Sequence, residues 1–114
     1  MSTNCLHHYG INGPEKGRFI VDLSSKYCKC CKALHTILEK FRNDGIIEVK
    51  QINIDENSKL AKELDIHALP ALIFFKDGKL LNKNILINEE IFVKNGVMMG
   101  AFNGAILKEV IEQM

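Results

Sequence analysis

Three sulfurs fall within four residues of this chain, in Tyr27-Cys28-Lys29-Cys30-Cys31-Lys32, and they are the densest chemistry it carries. The thiolate, not the thiol, is the nucleophile and the metal ligand, so what matters is which sulfur is held as an anion. Free cysteine ionises near ~8.5, and a helix N-terminus or a neighbouring lysine lowers that value by placing positive potential on the sulfur. Cys28 has Lys29 beside it and Lys26 and Lys32 close in the chain, which makes it the candidate nucleophile. Cys31, three residues on, lies on the same face of a helical first turn and can reach the Cys28 sulfur, so it is the candidate resolving thiol. Cys30 is open to three readings, an inert surface thiol, a third redox thiol, or a site for capping by glutathione.

Such a placement needs a strand to end and a helix to begin just before Cys28. Phe19-Ile20-Val21 reads as a short buried strand, Asp22 follows it, and Ser24 and Ser25 break it. Ala33 to Arg42 then has helical spacing, with Leu34, Leu38 and Phe41 on one stripe, and Asn43-Asp44-Gly45 stops it. Ile46 to Ile54 predicts a second buried strand, parallel to the first through a right-handed crossover. Ser58 to Leu64 predicts a short helix with Leu60, Ala61 and Leu64 inward.

Leu69-Pro70 precedes the apolar strand Ala71 to Phe75, where a proline in first position has no ladder donor to lose. Lys76-Asp77-Gly78-Lys79 is a hairpin turn. Leu80 to Met99 predicts an enlarged β-hairpin at the sheet edge, its strongest signal being Asn95-Gly96 within Ile91 to Met99. Asn103 is a plausible N-cap for a terminal helix with Ile106, Leu107, Val110, Ile111 and Met114 on its apolar stripe.

A chain of 114 residues, 46% hydrophobic and 25% charged, has the length and composition of a single ordinary domain spanning 1–114. Residues 1–18, with Gly10, Gly13, Pro14 and Gly17, predict a loosely structured N-terminal segment in which Cys5, His7 and His8 face solvent. A net charge of +1 with Lys and Glu interleaved gives no electrostatic handle for nucleic acid or an anionic membrane. No run approaches a membrane span, and the N-terminus lacks the charged start and apolar middle of a secretion signal. Three of the four cysteines lie together, useless for stapling distant parts of a fold, so the expected setting is a reducing one, the cytoplasm.

The stretch Phe19 to Lys32 resembles the active-site segment of the thioredoxin family, in which a hydrophobic strand, an Asp and aromatic residues lead into Trp-Cys-Gly-Pro-Cys-Lys. Further matches are Asn53-Ile54-Asp55-Glu56-Asn57, Ile66 to Leu72 around Leu69-Pro70, and Gly100-Ala101-Phe102 before the last helix. The resemblance covers Phe19 to Phe75 and Gly100 to Met114. It implies a thioredoxin-like α/β fold, a central mixed β-sheet flanked by helices.

It also implies a protein-disulfide oxidoreductase with no cofactor beyond a redox-active Cys28–Cys31 disulfide and no metal. The implied partners are protein disulfides and a thioredoxin-reductase-like or other electron donor, acting on a monomer. Asp22, six residues before Cys28, takes the place of the family's buried acid, which assists proton removal from the resolving thiol. Tyr27, Lys29, Leu69, Pro70 and Gly100 would border the substrate groove, with Leu69-Pro70 cis.

The chain also departs from the family. Lys29-Cys30 replaces Gly-Pro, Ser24 and Tyr27 stand where two tryptophans are usual, and the lysine that accompanies the acid falls on Gln51. Two other readings compete with turnover. One is a binding module that keeps the fold and uses the hairpin as a protein contact. The other is a metal site from Cys28, Cys30 and Cys31 closed by Cys5, His7 or His8, disfavoured because adjacent helical residues do not face one tetrahedral ion.

Overall fold

Strand β1, Arg18–Ser24, is buried at its five central positions and forms the spine of the molecule. The computed structural model describes residue 6 and residues 11–26, 28–100 and 103–114. On one side β1 pairs in parallel with β2, Glu48–Asn53, and on the other it runs antiparallel to β3, Ala71–Lys76. Helix α1, Lys29–Asn43, makes the crossover between the parallel strands. The chain then passes through a 3₁₀ turn, Ile54–Glu56, whose Asn53 side chain accepts the Asp55 N–H at 2.8 Å, into the short helix α2, Ser58–Glu63.

Because β1 and β3 are covered on both faces, alternate residues feed two cores. Ile20, Leu72 and Phe74 face Leu34, Leu38 and Phe41 of α1 and Leu107, Val110 and Ile111 of α3, Gly104–Glu112. Phe19, Val21, Leu23, Ile73 and Phe75 face Leu60 and Ala61 of α2 together with Leu6 and Ile11, which are 0% and 1% exposed. Period-2 alternation puts Asp22 on the α1 side with Ile20, and no other polar residue among those described is buried.

Helix α1 ends as its Asn43-Asp44-Gly45 run predicts. Gly45 takes φ 74°, its N–H bonds Arg42 O at 3.1 Å, and Ile46 N–H bonds Phe41 O at 3.0 Å, closing two orphan carbonyls. Asn103 caps α3, its side-chain oxygen accepting the Ile106 N–H at 2.9 Å.

Two expectations are corrected. The second strand is an edge rather than a buried strand: among the described strands β2 pairs only with β1, and Glu48, Lys50 and Gln51 are exposed. Its apolar residues are only partly buried, Val49 against one core and Ile52 against the other, which the run of isoleucines and valines conceals. The added hairpin is also not built around Asn95-Gly96. It is β5, Ile85–Ile87, and β6, Glu90–Val93, joined through Asn88 and Glu89, both at positive φ, and forming a separate two-stranded sheet.

Asn95-Gly96 makes a tight turn closed by both Lys94–Val97 backbone bonds, but after this one bridge the chain leaves as β7, Val97–Met99, to pair with β3. The free edge of β3 is shared between β7 and the two-residue β4, Lys79–Leu80. Phe74 stands at the division, its N–H bonded to Gly96 O at 2.8 Å and its carbonyl to Leu81 N–H at 2.9 Å. A partner edge on β3 outweighs the local hairpin signal because β7 also buries Val97 and Met98 there.

Candidate redox site

Cys28 is the N-cap of α1, extended at φ −90° and ψ 102°, and Ser25 O holds its N–H at 3.1 Å. The first turn of α1 contains no acidic residue to offset the positive end of the helix, and Lys29 opens it, exposed. Cys28 and Cys31 are joined by a disulfide with their Cα atoms 5.3 Å apart, inside the ordinary range for such a bond. The two sulfurs are not equivalent in access. Cys28 is partly exposed whereas Cys31 is 4% exposed. Cys30 is the second residue of α1.

Asp22, on β1, is 1% exposed, with neither carboxylate oxygen hydrogen-bonded. Burial pushes its pKa from 3.8 up to about 6, against the opposing pull of His35. The imidazole Nδ1 of His35 is 3.9 Å from Asp22 Oδ2. Its Nε2 is 2.9 Å from the side-chain nitrogen of Gln51 and 3.8 Å from Glu39 Oε1. Gln51 is the register partner of Asp22 across the parallel pair, so it shares that face, while Lys50 pairs with Val21 on the other. A cleft of about 340 Å³ opens here, lined by Ser24, Cys31, His35 and Gln51 among others.

Leu69-Pro70 is cis, and Pro70 is buried at the entrance to β3. The Pro70 carbonyl accepts the N–H of Gly100 at 2.8 Å, and Gly100 holds φ 106°, a conformation open to glycine. Leu69, Pro70 and Gly100 are thus brought together by the β3–β7 pairing. Tyr27, Ala101, Phe102, Cys5, His7 and His8 lie outside the described residues. Among the described residues no three His, Cys, Asp or Glu side chains gather as a metal site, and no helix is long and apolar enough to cross a membrane.

His35 is the member of this site that sequence reasoning missed. The signal was present: it stands four residues after Cys31, one turn along the same helical face, and Gln51 leaves the acid without a lysine.

A family model described as Thioredoxin matches residues 7–114. A thioredoxin of Chlamydia pneumoniae is 34% identical over 80 residues, 69% of this chain and 78% of its own length. A thioredoxin of Aspergillus fumigatus is 37% identical over 78 residues, 63% of this chain and 68% of its own. Among solved structures, a variant thioredoxin from Halobacterium salinarum superimposes with a TM-score of 0.68 at 22% identity, covering 87% of this chain and 75% of that one. The oxidised mitochondrial thioredoxin 3 of Saccharomyces cerevisiae gives 0.64 at 22%, covering 87% and 80%. At this identity the solved structures speak for the fold.

Proposed function

The chain belongs to the thioredoxin family, and from that premise we propose that Cys28 is the attacking sulfur, Cys31 the resolving one and Asp22 the proton acceptor. The protein is a thiol–disulfide oxidoreductase acting on protein disulfides through its Cys-x-x-Cys pair, and the relatives favour turnover over a binding-only module. The Cys28 thiolate attacks one sulfur of the substrate disulfide, forms a mixed disulfide and expels the other substrate sulfur as thiolate. Cys31 then gives its proton to the Asp22 carboxylate and attacks the Cys28 sulfur, releasing the second substrate thiolate. Two electrons have moved, leaving a Cys28–Cys31 disulfide and a reduced substrate.

The observation that carries this assignment is the asymmetry of the pair, a partly exposed sulfur at the helix N-cap joined to a buried one, in a fold that buries one acid on β1. Lys29, Leu69, Pro70 and Gly100, with Tyr27, form the substrate groove in this reading, where the Leu69 backbone pairs with an extended substrate. The disulfide is the only redox group required. A reductase or other dithiol donor recharges it, and the 114 residues work as one monomeric domain. A cytoplasmic setting is supported by the grouping of three of the four cysteines at one site, which suits exchange rather than stapling.

Insulin reduction with dithiothreitol as donor tests the roles. Cys28→Ser should abolish turnover, and Cys31→Ser should trap a mixed disulfide with substrate. Turnover at the wild-type rate in Cys28→Ser would overturn the assignment.

A further inference from the structure

An ionised carboxylate buried without hydrogen bonds is costly, so a base at the position of Asp22 needs a neighbour that favours its anion. Gln51, its register partner, carries no charge. His35 does the reaching instead. Its side chain is 37% exposed while Asp22 is 1% exposed, so the imidazole stands where the buried acid meets the open cleft shared with Cys31. The Gln51 amide N–H donates to Nε2, which puts the ring proton of neutral His35 on Nδ1, the nitrogen that faces Asp22 Oδ2 at 3.9 Å. That separation is ion-pair range and outside hydrogen-bond range, so the interaction is one of charge and dipole.

We propose that His35 is the positioning residue of the resolving step, holding Asp22 in its carboxylate form at the moment Cys31 must lose its proton. The Cys31 thiol proton passes to an Asp22 oxygen, the sulfur electron pair forms the bond to Cys28 Sγ, and the bond from Cys28 to substrate breaks with its pair leaving on the substrate sulfur. His35 touches none of the reacting atoms. The inference rests on the reading of Cys28–Cys31 as the redox pair with Asp22 as proton acceptor. Around the cleft α1 also supplies Lys32 and Glu39, β2 the uncharged Gln51 with Lys50 turned to the opposite face, and β3 the apolar Leu72 opposite Asp22.

The test is the acid limb of the pH–rate profile for the resolving step alone, release of a substrate thiol from a preformed mixed disulfide on Cys28, in the wild type, His35→Gln, His35→Lys and Asp22→Asn. Titration of the Asp22 carboxyl carbon by NMR in the oxidised proteins is followed beside it. Losing the imidazole, whose Nδ1 faces Asp22, should move the limb and the carboxyl titration to higher pH by about half a unit or more, about a threefold rate loss on the limb. A permanent cation in His35→Lys should move both to lower pH, so the expected order is Lys, His, Gln from low to high. Asp22→Asn should remove the limb. If the three His35 proteins coincide while Asp22→Asn loses the limb, the inference is overturned and the Asp22 reading stands. A limb that persists in Asp22→Asn overturns both.

Discussion

Replacing Asp22 by Asn should stabilise the folded protein while slowing its chemistry. In the folded state burial holds the carboxyl at about 6, against 3.8 when unfolded. Between those values the folded protein retains a proton that the unfolded chain has released, so stability falls as pH rises through this window and the whole cost is present above it. Two units correspond to about 3 kcal/mol, the full cost at about pH 7.5, and to under about 1 kcal/mol at about pH 4. Asn is neutral throughout and lacks partners as the protonated acid does, so the packing and hydrogen-bond costs largely cancel. Urea unfolding of the oxidised wild type and Asp22→Asn at the two pH values gives the double difference, expected at about 2 kcal/mol in favour of Asn at the higher pH. Other titrating groups drop out of that difference. A variant whose advantage does not grow from acid to neutral pH would refute the reasoning, because the cost would then not come from an ionised buried carboxylate.

In the reduced protein, iodoacetamide should modify Cys28 first, with an apparent pKa below the ~8.5 of free cysteine, because it caps α1 and is the more accessible of the pair. Peptide mapping across a pH series checks this, and earlier modification of Cys30 or Cys5 would defeat it. Gly96→Ala should cost about 2–4 kcal/mol in urea unfolding, since Gly96 has φ 82° and a Cβ there would lie 2.6 Å from Leu81 O and 2.9 Å from Leu80 Cδ1. Unchanged stability would mean that β4 and the turn can move apart at no cost.

The reactive sulfurs, the strand ahead of them and the helix behind them were legible from the residues alone, because each signal lies within a few positions of the chain. Continuous apolar runs marked β1 and β3, helical spacing marked α1 and α3, and Gly45 and Asn103 marked their ends. Lysine at Cys28 and the acid at Asp22 were likewise local facts of order and spacing. What surrounds that acid was decided only by the tertiary structure. Asp22, His35 and Gln51 sit on a strand, a helix and another strand, and their meeting depends on the parallel register of β1 with β2 and on how α1 lies across both. The hairpin shows the same limit. Asn95-Gly96 has the right residues for a two-residue turn and makes one, but which strands extend beyond it was set by the unfilled edge of β3, a vacancy that no local pattern records. Local propensity selects a turn or a helix; the choice of partner depends on which backbone edges and apolar faces remain uncovered when the rest of the chain has packed.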